Sequence, residues 1–119
     1  MTFEDLDSWK EARKMVSLIY GLTKNEHINR DYGLCSQLQR ASVSVMTNIA
    51  EGFERPTVPD KAQFYSIARA SNGEVRSLLY VVTDNYPELA KPADKIHLQN
   101  VDTGRLLSGL IKSTKNRLK

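Results

Sequence analysis

The polar residues of "YGLCSQLQRASVSVMTNIAEGFERP" (32–56) are the ones whose types and spacing suggest chemistry. On an α-helix, Gln37, Arg40, Ser44, Asn48, Glu51 and Arg55 fall within an arc of about 80°. A carboxylate flanked by an amide and guanidinium groups binds polar ligands, or it locks helices together when enclosed. It specifies neither a nucleophile nor an electrophile. The rest of the circumference is apolar or small, including Ala41, Val45, Ile49 and Phe53, so a buried structural network is the expectation. Arg40 and Arg55 would then have to satisfy Glu51, because unpaired buried charge costs several kcal/mol. A solvated stripe with a weak Glu51–Arg55 i,i+4 pair is the alternative.

Little else suits catalysis. His27 and His97 have no Cys, Asp or Glu partner at a recognised metal spacing, and no phosphate-binding glycine loop follows a strand. The single cysteine, Cys35, lies between Leu34 and Leu38, which predicts a buried thiol rather than a reactive one. No cofactor or metal is expected.

Two arcs are basic. Tyr65, Arg69, Arg76 and Tyr80 share about 60° of one helix. Arg105, Lys112, Lys115 and Lys119 share a similar arc, and residues 105–119 carry five basic and no acidic side chains. Cations interleaved with aromatic rings suit a phosphate backbone with occasional base stacking. A formal net charge of +3 permits such a partner without demanding one.

The elements that must position these groups are helices. Apolar periodicity predicts four, at about 8–24, 31–53, 60–84 and 92–117, and no strand alternation competes with them. Ser8 and Glu11 suggest a capping box, Asp60 a cap, and Pro92 a first-turn position. Short connections between long amphipathic helices predict an all-α, antiparallel up-and-down four-helix bundle forming a single domain over 1–119. The first helix carries two apolar stripes. Met15, Leu18 and Leu22 form the spare one, a candidate oligomer interface. At the end of the second helix, Gly52 is expected to permit close packing and Pro56 to force the chain away. Asn48, Glu51 and Arg55 would hold that end to its neighbours. With 40% hydrophobic residues and no long apolar run, the chain is expected to be cytoplasmic, with no membrane partner.

The runs "FEDLDSWKEARK" (3–14), "IYGLT" (19–23), "YGLCSQLQRASVSVMTNIAEGFER" (32–55) and "FYSIARASNGEVRSLL" (64–79) resemble the bacterial four-helix-bundle proteins encoded within intervening sequences of 23S ribosomal RNA genes. The architecture is also similar to that of the accessory variability protein of diversity-generating retroelements. The first resemblance implies a homo-oligomer, a pentameric ring, with recurrent polar positions at Gln37, Arg40, Ser44, Asn48, Glu51, Gly52, Arg55 and Glu74. Five copies at +3 each would carry +15. The expected function is non-enzymatic: binding of RNA or DNA, or scaffolding of a nucleic-acid-processing protein partner. A purely structural protein–protein interaction module is the alternative. A small enzyme is a third reading and requires Glu51 and Glu74 to converge in one pocket.

Overall fold

The computed structural model describes residues 1–117. After a 3-10 turn at Phe3–Asp5, four helices follow: α1 (Asp7–Thr23), α2 (Tyr32–Glu54), α3 (Val58–Asn85) and α4 (Ala90–Asn116), with a second 3-10 turn at Pro87–Leu89 before the last. Consecutive helices pack side by side and α4 closes against α1, while among the described residues neither diagonal pair brings its Cα atoms within 8 Å. This is an up-and-down four-helix bundle, a rod 49 Å long and about 20 Å across.

The helix starts show local chemistry that spacing alone had misplaced. Ser8 and Glu11 form no capping box. The helix already begins at Asp7, which puts Ser8 inside the first turn and buries it. Glu11 turns instead toward α4, where the Gln99 amide donates to its carboxylate at 2.6 Å and holds that carboxyl below its ordinary pKa. Asp60 does not cap α3. Thr57 does, its hydroxyl accepting from the Asp60 N–H at 3.3 Å, and Pro59 fits the first turn. Asp31 caps α2 by accepting from the Leu34 N–H at 3.2 Å. Its second oxygen accepts from the Tyr86 hydroxyl at 2.7 Å, tying the α1–α2 linker to the far end of α3.

The spare stripe of α1 is also a correction. Met15 and Leu22 are buried in the core of their own chain, and Leu18 is half-buried against it. The helix has two neighbours, so its buried face spans both stripes, one turned to α2 and the other to α4. Met15 lies on the α4 side, its sulfur 3.7 Å from the Asn100 amide nitrogen. From the other helices Leu38, Val45, Ile49, Val75, Leu79, Val82, Ile96 and Leu107 complete the core.

At the end of α2 the close packing expected at Gly52 is present. A Cβ there would lie 2.7 and 2.8 Å from ring carbons of Tyr65 and 3.1 Å from the Phe64 Cβ. Arg55, held extended ahead of Pro56, ends the helix.

Candidate functional site

The polar residues of α2 do not form one buried network. Glu51 accepts from Arg55 at 2.9 Å in a pair that is about half exposed, the solvated i,i+4 arrangement. Arg55 also stands 4.4 Å from the centroid of the Phe64 ring, which does fasten this helix end to α3. Lys61 adds a second fastening, donating to the Phe53 carbonyl. Asn48 donates within its own helix, to the Ser44 carbonyl at 2.8 Å, not to a neighbour. The only hydrogen bond from this stripe to another helix, among the described residues, joins Ser44 and Ser71 at 2.9 Å. Ion pairing is local because α2 turns this side outward: Gln37, Arg40 and Glu51 are exposed, leaving no desolvated charge that demands a partner.

Gln37, Arg40, Ser44 and Glu74 line an open groove of about 690 Å³ over α2, with Tyr20 and Ser71. Glu51 is not among its lining residues, so the two carboxylates of the enzyme reading do not converge there. Among the described residues no group of three or more His, Cys, Asp or Glu side chains is placed to hold a metal ion. Cys35 is buried, and its thiol donates to the Ile28 carbonyl at 3.3 Å. Burial, then the nearby Asp31 charge, raises its pKa, which removes thiolate and with it nucleophilicity.

The basic arcs fare differently. Tyr65 leaves the set. It is 2% exposed, packed under Gly52, and burial pushes its phenol pKa upward. It lies on the α4-facing side of α3, but inward of the arginines, where the missing side chain at Gly52 opens space for a ring. Lys119 lies outside the described residues. Arg69, Arg76, Tyr80, Arg105, Lys112 and Lys115 are all exposed.

The bundle brings Arg69, Arg76 and Arg105 together across two helices. They line a cleft of about 330 Å³ between α3 and α4, with Gly73, Gly104, Val101 and Ser108. No acidic residue lines it. Its floor is a buried amide pair that sequence reasoning missed. Asn72 donates to the Asn100 carbonyl at 3.0 Å, and Asn100 donates to the Asn72 carbonyl at 2.9 Å and to its side-chain oxygen at 3.0 Å. The signal was an asparagine sitting at a core position of each helix's apolar repeat. Gly104 makes room for this pair, since a Cβ there would meet the Asn72 amide nitrogen at 3.1 Å. Asp102 pairs with Arg105 at 3.7 Å, with both side chains more than half exposed, so a phosphate can displace it cheaply. Tyr80 stands along the same helix, half exposed and edge-to-face with His97 at 5.6 Å.

The sequence profile of a family described as 23S rRNA-intervening sequence protein matches residues 4–109. Among solved structures, the chain is similar to a protein of unknown function from the S23 ribosomal protein family of Bacteroides thetaiotaomicron. The two share 19% identity and a TM-score of 0.81, over 88% of this chain and 98% of that one. At that identity the likeness concerns the fold. No curated protein matches the chain. The likeness to the retroelement accessory protein receives no support from these comparisons. Among the described residues, no helix is long and apolar enough to cross a membrane.

Proposed function

Because the chain belongs to the 23S rRNA-intervening sequence protein family, we propose that it is a non-enzymatic helical-bundle protein that binds RNA or DNA, by itself or while scaffolding a nucleic-acid-processing partner. The observation that carries this reading is the convergence of Arg69, Arg76 and Arg105 on one cleft with no carboxylate in its lining. Three arginines from two helices line this cleft, and among the described residues Asp102 is the acidic side chain that pairs with one of them. A polyanion supplies counter-charge, and counterion release supplies the driving force.

The test is titration of a labelled oligonucleotide at several salt concentrations. Affinity is expected to fall steeply with salt. The triple variant Arg69→Gln, Arg76→Gln, Arg105→Gln is expected to bind weakly, its log–log salt slope shallower by about two to three. Absence of binding to RNA and DNA at low salt would overturn the reading in favour of a protein–protein interaction module, whose capture of a partner resists nuclease.

The same proposal places the chain in a homo-oligomer, a pentameric ring on the resemblance of its motifs. With Met15 and Leu22 in the core, the face proposed for a second copy is the α1–α4 groove of about 950 Å³, where Leu18 and Leu106 supply an apolar floor. Charges of both signs rim it, Lys10, Lys14 and Lys95 beside Asp7 and Glu11, and so suit a neighbouring copy of the same chain. The expected result is a solution mass about five times the 13.5 kDa of one chain, reduced to the monomer by Leu18→Glu with Leu106→Glu. A monomeric parent chain would remove the ring.

A further inference from the structure

We infer that the α3–α4 cleft is built for a single strand rather than a duplex, an inference that rests on the nucleic-acid reading above and narrows it. Arg69, Arg76 and Tyr80 follow one another along α3 at intervals of seven and four residues, a rise of about 10 Å and then about 6 Å. Arg105 lines the opposite wall of the cleft, formed by α4. The cations therefore form a short track enclosed from two sides, and the track runs into an aromatic ring.

Three features of that track favour an unpaired strand. Arg69, Arg76 and Arg105 line the two walls of one cleft of about 330 Å³, so a single backbone laid along it can meet all three. Tyr80 is 54% exposed yet held by its edge-to-face contact with His97. A ring fixed in this way offers a stacking platform, and only a base outside a duplex stack can use it. Beyond Tyr80 the basic track gives way to mixed charge, Asp84 and Asp94 beside Lys91 and Lys95, all exposed, so the attraction for phosphates is concentrated between Arg69 and Tyr80 and suits a short strand with a base at the ring. The amides of the cleft floor bond to each other, leaving little to read base edges. Recognition is thus by backbone and stacking and tolerates many sequences.

The experiment compares one short labelled sequence as a single strand and as a duplex, in ribo- and deoxyribo- forms, by fluorescence anisotropy at low salt. The single strand is expected to bind about tenfold more tightly or better. Tyr80→Ala is expected to lower single-strand affinity about tenfold while leaving the salt slope unchanged, because no phosphate contact is lost. Tyr80→Phe is expected to retain the parent affinity. The residue is exposed, and an unchanged circular dichroism melt would verify that the fold is intact. Equal or tighter duplex binding, or a Tyr80→Ala variant that binds like the parent, overturns the single-strand inference and leaves the nucleic-acid reading standing. Failure to bind either form overturns both.

Discussion

Gly52→Val is expected to destabilise the chain by about 3 kcal/mol, at the upper end of overpacking in a close-packed interior. Even the first added carbon lands 2.7 Å from the Tyr65 ring, far inside van der Waals contact. That ring is fully buried, and Phe64 blocks a second direction at 3.1 Å. Glycine gives up about 1 kcal/mol of helix propensity relative to alanine, of which valine regains a part, so a substitution tolerated by space would leave the chain as stable or slightly more so. The sign of the effect therefore tests the close approach directly. Thermal denaturation is expected to show a fall in Tm on the order of 10 °C. Combining the substitution with Tyr65→Ala should recover part of the loss, giving a double-mutant cycle whose coupling reports this contact. A Gly52→Val protein as stable as its parent would refute the packing of α2 on α3 described above.

Asn100→Leu is expected to cost about 2–3 kcal/mol, because it strands the Asn72 side-chain oxygen in an interior where its only partner, among the described residues, was the Asn100 amide. Asn72 is 5% exposed and Asn100 1%, so water cannot replace the lost bond cheaply. The double variant Asn72→Leu with Asn100→Leu behaves differently. With both polar partners gone no group is left unsatisfied, and much of the stability is expected to return. What does not return is register. The amide pair pins one point of the α3–α4 offset that packing sets across the whole interface, and this offset brings Arg105 into one cleft with Arg69 and Arg76. The double variant is therefore expected to melt near the parent temperature but to bind oligonucleotide several-fold more weakly. Denaturation and anisotropy on the same three proteins check this. Full binding by the double variant would show that the arginines need no help from the floor beneath them.

Both expectations concern contacts between helices, and the sequence was least legible there. The four helices themselves could be read from apolar spacing, with boundaries shifted by two residues where Thr57, not Asp60, takes the cap. The close packing at Gly52 was legible because a glycine among apolar residues in the last turn of a helix leaves room for a large neighbour. Tyr65 was misread for a related cause. It sits on the edge of the core arc, and only the gap at Gly52 turns it inward. The α2 stripe was taken for a buried network because its flanks are apolar. In the bundle those flanks meet two neighbours, and between them Gln37, Arg40 and Glu51 stay in water while Ser44 reaches α3.

The amino-acid sequence alone determined that this chain is a four-helix bundle of its family, and which residues lie on which arc of each helix. Side-chain periodicity follows from the geometry of one helix, so it needs no partner to be read. Tertiary structure alone decided which arcs face inward, that Met15 and Leu22 belong to the core, and that asparagines 28 residues apart join beneath three arginines. The rotation and offset of one helix against the next are set by packing across the whole interface. No single helix carries that information in its own repeat.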